Sequence, residues 1–202
     1  MRKLIVSMNI TLDGFMSGPD CELDWHFQRW TEDMAQSARE QLSRADTILL
    51  GRVTYTAMAR YWPAKANDLS FPRDDIDFAV MMNSYAKIVF STTLTTASWN
   101  NSRLVKKDMA AEIARLKQQP GKHMITYGSG KLVESLIHAN LVDEYHVWVH
   151  PVILGKGKPL FTGPEDNVNM RLLQAKTFYS GVVLLCYEAR QIPLCHSGLV
   201  VR

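Results

Sequence analysis

Seven consecutive residues, Thr126-Tyr127-Gly128-Ser129-Gly130-Lys131-Leu132, follow an apolar strand-like run and open a helix-like one. That arrangement suits a phosphate. Glycine lacks a Cβ, so a Gly-Ser-Gly turn can bring backbone N–H groups against an anion while the N-terminus of the next helix adds the positive end of its dipole. A second strand-to-helix junction, Leu50-Gly51-Arg52-Val53-Thr54, carries a glycine, a guanidinium and a hydroxyl, all suited to phosphate oxygens. Taken singly, Gly51-Arg52 also reads as a helix start with a solvated arginine, and Gly128-Ser129-Gly130 as an ordinary helix entry. Taken together they suggest two halves of one nucleotide site.

The elements that would carry these junctions follow from pattern. Leu4 to Ile10 reads as a buried first strand, closed by the turn formers Asp13-Gly14 and Ser17-Gly18-Pro19-Asp20 and followed by a long polar connection. From about Trp30 to Leu42, Met34, Ala38 and Leu42 recur at helical spacing and lead into a strand from Thr47 to Leu50. The pattern predicts helices over Val53 to Arg60, ended by Trp62-Pro63, and over Ile76 to Met82, before a strand from Ala86 to Phe90. Asp108 is placed to cap a helix whose Ile113 and Leu116 face inward, Pro120-Gly121 stops it, and a strand from Met124 to Tyr127 and a helix from Lys131 to Ala139 follow. Tyr145, Val147 and Val149 then alternate with His146, Trp148 and His150 as in a half-exposed strand. Met170 to Thr177 and Val182 to Ala189 form an antiparallel hairpin pattern. The sum is an α/β, three-layer architecture: a mostly parallel central sheet with helices on both faces and a C-terminal antiparallel hairpin.

With 202 residues and 47% hydrophobic content the chain can bury a substantial core as one domain, taken as residues 1–190, with 191–202 as a tail that is mobile or packs on a partner. The formal charge of +3 comes from scattered basic residues, which suits a small anionic ligand better than a nucleic acid. Met1-Arg2-Lys3 imitates the start of a signal segment, but Asn9 and Asp13 interrupt the apolar run, and none reaches membrane-spanning length, so a cytoplasmic protein is expected. Cys21, Cys186 and Cys195 are read as reduced packing residues. His146 and His150, four apart on a strand, would lie about 13 Å from each other and so suggest no metal site.

The order of these elements resembles the dihydrofolate reductase superfamily, and more closely the C-terminal reductase domain of bacterial riboflavin-biosynthesis deaminase/reductases and its stand-alone relatives. The resemblance is carried by Met8-Asn9-Ile10-Thr11-Leu12-Asp13-Gly14, Leu50-Gly51-Arg52-Val53-Thr54-Tyr55, Val89-Phe90-Ser91-Thr92-Thr93 and Tyr127-Gly128-Ser129-Gly130, with Leu141 to Tyr145 and His150 to Gly157 matching the riboflavin-type members. It implies an NADPH-dependent oxidoreductase, similar to 5-amino-6-(5-phosphoribosylamino)uracil reductase or dihydrofolate reductase, acting on a small heterocyclic or ribityl-pyrimidine-like substrate as a homodimer. It implies further that Gly51, Arg52 and Thr54 meet the pyrophosphate and 2′-phosphate side of NADPH, that Ser91 and Thr92 share the 2′-phosphate, and that Gly128, Ser129, Gly130, Lys131 and Leu132 underlie the pyrophosphate, with a cis bond between Gly128 and Ser129. The other reading of Ser91-Thr92 is a plain strand-end turn.

Reduction of a bound heterocycle needs the nicotinamide held against the acceptor carbon and one proton or hydrogen bond from the protein. Asp13, similar to the Asp of the family's Leu-Asp-Gly segment, and Asp24 are the candidate acids, with Trp25 as the candidate ring-binding residue. Each has a bland alternative: Asp13-Gly14 is also a common turn dipeptide, and Asp24-Trp25 is also a loop acid beside a core-covering indole. Gly155-Lys156-Gly157-Lys158 is better read as a connection than as a phosphate-binding loop, and Met81-Met82 and Trp30 as core or pocket lining. The Cys21 to Phe27 stretch does not reproduce the carboxylate spacing of dihydrofolate reductase, so the competing reading is a non-catalytic nucleotide-binding or regulatory module on the same fold.

Overall fold

The computed structural model describes residues 1–66, 68, 70, 73–162 and 168–189. The tail expected over 191–202, with Cys195, lies outside these residues. The central sheet is built from β1 (Leu4–Thr11), β3 (Ala45–Gly51), β4 (Ala86–Phe90), β5 (Ser102–Val105), β6 (His123–Thr126), β7 (Glu144–His150), β9 (Met170–Thr177) and β10 (Val183–Ala189), in the order β5-β4-β3-β6-β1-β7-β10-β9. β1 pairs in parallel with β6 and β7, and β3 with β4 and β6, while β10 runs antiparallel to both β7 and β9. Two short strands, β2 (Phe15–Ser17) and β8 (Lys158–Pro159), form a separate antiparallel pair.

The apolar runs of β1 and β3 bury both faces, as parallel strands between helical layers require. On one side Leu4, Val6 and Ile10 pack with Ile113 and Leu116 of α5 (Met109–Gln118) and with Leu132, Val133, Leu136 and Ile137 of α6 (Gly130–His138). On the other, Ile5, Ile48, Leu50 and Val89 meet Leu42 of α2 (Glu32–Ser43), Tyr55 of α3 (Arg52–Lys65) and Met82 of α4 (Arg73–Ser84). The expected three-layer fold is therefore the observed one. Among the described residues no helix is long and apolar enough to cross a membrane.

Local expectations differ from the structure in six places. Helix α3 runs through Pro63 to Lys65; a proline in the last turn removes one ladder bond and does not end a helix already packed on the sheet. Asp108 precedes α5 in the left-handed region, and its carboxylate makes no capping bond. Strand β7 is not half-exposed. His146, Trp148 and His150 are buried, and their polar atoms bond Glu144 (3.1 Å), Ser7 (3.2 Å) and Asn9 (2.9 Å) respectively. Cys21 is exposed, not packed, whereas Cys186 is buried as expected. Finally, the polar connection after Gly18 holds a short helix, α1 (Asp24–Phe27), and β5 adds an unforeseen edge strand.

Candidate active site

All the predicted phosphate-binding residues leave the sheet at the carboxyl ends of its parallel strands, where open α/β sheets bind ligands. β3 ends in Gly51 and β6 is followed by Gly128, and the two corners touch: the Gly51 N–H donates to the Gly128 carbonyl at 3.2 Å. A Cβ on Gly51 would stand 2.2 Å from Ser129 Oγ and 3.1 Å from Ser129 N, so this approach requires glycine. Gly128 has φ +113°, a region disfavoured for other residues, and a Cβ there would lie 3.2 Å from Thr54 Oγ1 and 3.7 Å from Met8 Sδ. Gly51, Thr54, Gly128 and Ser129 thus form one contiguous floor. The Gly128–Ser129 peptide is cis, as expected from the family resemblance.

Two helices begin on this floor. Gly51 and Ser129, the residues preceding α3 and α6, are extended, and neither makes a side-chain cap bond, so backbone N–H donors of both first turns face the groove uncapped. Arg52 and Lys131 are exposed above it. Leu132 turns inward instead: its side chain is in the core and its N–H is bonded to the Ser129 carbonyl at 2.9 Å. Met16 lies across α6, with its Cε 2.1 Å from where a Gly130 Cβ would stand. The fit to a dinucleotide pyrophosphate rests on the donors: a Cβ at Gly51, Gly128 or Gly130 would run into Ser129, Thr54 or Met16, so only glycines let the two helix starts stand this close, with their uncapped N–H groups together.

The sheet register extends the groove sideways. Gly51 pairs with Phe90 and Phe90 with Val105, so Arg52, Ser91 and Lys106 leave three adjacent strands at one level. Ser91 Oγ accepts the N–H groups of Thr93 (3.2 Å) and Leu94 (3.0 Å), shaping a tight turn that leaves Thr92 exposed. Lys106 and Lys107 are exposed beside it. The sequence reading missed both lysines because it missed β5.

The carboxylates are placed differently from each other. Asp13 accepts hydrogen bonds from the Thr11 hydroxyl (2.6 Å) and from the Gly155 (2.8 Å) and Leu154 (3.3 Å) amides. The Thr11 bond, with those amides, holds its carboxyl below the usual range, so Asp13 is an ionised clamp on the 152–157 loop. Asp24 is exposed on α1, beside Trp25. The Trp25 indole stands edge-on to His150, ring centroids 5.1 Å apart at 86°, and 5.4 Å from His26. His150 is fully buried at the end of β7, next to the end of β1, and its Nε2 bonds Asn9 Oδ1. Burial, helped by the nearby His26 and Arg29, pushes His150 down to about 4, and burial also lowers His26 against the opposing pull of the Leu23 carbonyl and the Asp24 charge. Asn9 and His150 join Trp25 and its chain neighbour His26 only in three dimensions, and no local motif marks the pairing.

The described geometry can be set beside known proteins. A family model described as the RibD C-terminal domain matches residues 2–184. The uncharacterized protein YyaP of Bacillus subtilis (strain 168) is 33% identical over 187 residues, which are 93% of this chain and 95% of YyaP. Among solved structures, a Shewanella sp. PV-4 protein ascribed to riboflavin biosynthesis superposes with a TM-score of 0.72 at 22% identity, covering 94% of this chain and 99% of that one. Dihydrofolate reductase from Enterococcus faecalis, solved with NADP(H), superposes at 0.58 with 13% identity over 93% of this chain and 96% of its own. These two show a shared fold.

Proposed function

Because the chain belongs to the RibD C-terminal domain family, we propose that it is an oxidoreductase that uses NADPH to reduce a small heterocyclic or ribityl-pyrimidine-like compound. The observation that carries this reading is the contact between the two glycine corners, Gly51 against Gly128-Ser129, beneath two uncapped helix N-termini. The cofactor, when bound, supplies a hydride. The chain's own part is to hold and shield it. N–H groups at the starts of α3 and α6 take the pyrophosphate, and Lys131 adds charge above them. Arg52, Ser91 and Thr92, joined by Lys106, take the 2′-phosphate, with Arg52 offering a planar fork of donors. Met8 and Met16 line the apolar wall next to Gly128 and Gly130. On the substrate side Trp25 provides a ring surface and Asp24 a carboxylate, while Asp13 acts through the loop it clamps.

A second copy of the chain is expected against the antiparallel end of the sheet. Edge strand β9 exposes Leu172 and Leu173, and Tyr145, Val147, Phe161, Met170, Leu185 and Tyr187 help line an apolar groove of about 360 Å³ nearby. Solution scattering giving a dimer mass supports this, and a lone monomer contradicts it.

Thermal melts with NADPH and NADH added separately test the cofactor assignment, since a ligand that binds only the folded state raises Tm. NADPH should stabilise more than NADH; no shift with either removes the site, and equal shifts remove the 2′-phosphate assignment. Oxidation of NADPH with a panel of pteridines, pyrimidines and quinoid compounds then separates an enzyme from a binding module, which would bind the cofactor without consuming it.

A further inference from the structure

Residues 18–22 fold into a tight turn after β2: the Gly18 N–H donates to the Glu22 carbonyl (3.1 Å), the Cys21 N–H donates to the Gly18 carbonyl (3.2 Å), and Cys21 sits in the left-handed region at φ +72°. The turn brings the Cys21 thiol back onto β8, where Lys158 pairs with Ser17 of β2. Lys158 Nζ stands 2.7 Å from Cys21 Sγ. That separation is below the about 2.9 Å usual for a nitrogen donor on an oxygen, although sulfur is the larger acceptor. It is too long for a direct S–N bond, which is shorter than the about 2.05 Å of an S–S bond. Two single bonds through one oxygen atom span it. Both side chains are exposed, so an oxidant reaches them. The other cysteine among the described residues, Cys186, is buried, and burial pushes its thiol up to about 11, which leaves it inert.

We propose that Cys21 and Lys158 form a modification site, in which hydrogen peroxide joins the two side chains through a sulfur–oxygen–nitrogen bridge. The bond to Cys21 first, and then the charges of Asp20 and Glu22, hold the Lys158 ammonium above its usual range, so it faces the thiolate as a cation when the sulfur attacks. The thiolate takes one peroxide oxygen, breaking the O–O bond; sulfur loses two electrons, and sulfenic acid and water form. The sulfur is then neutral and no longer holds the lysine proton. The freed amine attacks a second peroxide, nitrogen loses two electrons, and a hydroxylamine and a second water form. The hydroxylamine oxygen displaces the third water from the sulfenic sulfur and closes the bridge. In sum, one thiol, one ammonium and two peroxide molecules give the bridge, three waters and one proton. The bridge ties the turn leading into α1 onto β8, on the same segment whose Met16 lies against Gly130 at the start of α6. It uses no residue assigned to the cofactor, and it forms whether or not NADPH binds.

The test treats the full chain with hydrogen peroxide and reads intact and peptide masses. The native chain should gain one oxygen and lose two hydrogens, with the Cys21 and Lys158 peptides joined, and excess dithiothreitol should reverse the change. Cys21→Ser and Lys158→Arg should both lack this species. In Lys158→Arg, which keeps the charge but cannot close the bridge, Cys21 should go on to sulfinic acid and gain two oxygens instead. Hydrogen exchange over residues 18–22 should slow at least about threefold in the bridged protein, because the turn can no longer open away from β8. No mass change, oxygens gained on Cys21 with the Lys158 peptide left free, or the bridged mass persisting in Lys158→Arg would each overturn the assignment, and unchanged exchange in the bridged protein would overturn the tie to β8. If either variant does not fold, the joined peptides of the native chain decide the matter.

Discussion

Gly51→Ala tests the contact on which the proposed cofactor site depends. The new methyl carbon would meet Ser129 Oγ at 2.2 Å, Ser129 N at 3.1 Å and Ser129 Cβ at 3.2 Å. The hydroxyl can rotate away, but the backbone nitrogen and Cβ cannot without moving the start of α6. Overpacking of this kind costs about 1–3 kcal/mol, which for a domain of this size lowers Tm by roughly 2–12 °C. Moving the α6 N–H groups away from α3 should also weaken NADPH about tenfold or more, or at least about 1.4 kcal/mol. The double variant Gly51→Ala/Ser129→Gly removes two of the three clashing atoms, so a coupling of about 1–2 kcal/mol should restore part of the lost Tm. Scanning fluorimetry and calorimetry on the four proteins of this cycle measure both quantities. A Gly51→Ala protein with native Tm and native NADPH affinity would refute the reasoning, because the two corners could then not be in contact.

Further outcomes follow from the same geometry. Arg52→Ala should weaken NADPH by roughly ten- to a hundredfold, the range of a lost charge-assisted contact of about 1.5–3 kcal/mol, and leave NADH nearly unchanged in parallel titrations. For His150 the folded pKa of about 4 lies below the ordinary 6.5, so the unfolded chain binds more protons between these values. Its contribution, on the order of 3 kcal/mol, is complete above pH 6.5 and lost as pH falls toward 4. His26, also lowered, steepens the same window, and Glu144, held at about 2 chiefly by its bond to His146, adds its own loss only below pH 4.5. Denaturant unfolding between pH 7 and 4 should show this slope and a flatter one in His150→Gln; identical slopes would contradict it. Asp13→Ala should speed hydrogen exchange at the Leu154 and Gly155 amides and leave NADPH affinity intact, and unchanged exchange would show that Asp13 does not clamp the loop.

The meeting of the two glycine corners was legible in the sequence because its signals are local. A glycine where a strand becomes a helix limits both backbone conformation and approach distance, and Gly51 and Gly128 do in space what their settings imply. The layers were legible for a similar reason: parallel strands buried on both faces leave apolar runs, and α6 places Leu132, Val133, Leu136 and Ile137 on one face. Illegible parts depended on partners far along the chain. Ser102 to Val105 is a short edge strand without alternation, so Lys106 could not be placed beside Ser91. In β7 the polar residues looked solvent-facing by type, yet Glu144, Ser7 and Asn9 each bond one polar atom of His146, Trp148 and His150 inside the protein. His150 and Asn9 are 141 residues apart, and no periodicity reports such a pair.

The most direct measurement is a crystal structure of the chain grown with NADP⁺. The pyrophosphate should lie between the first turns of α3 and α6, within hydrogen-bond reach of backbone N–H groups at Arg52 and Gly130, and the 2′-phosphate beside Arg52 and Ser91. A cofactor bound anywhere else, with the N–H groups at the starts of α3 and α6 facing protein or solvent alone, would contradict the account at its base.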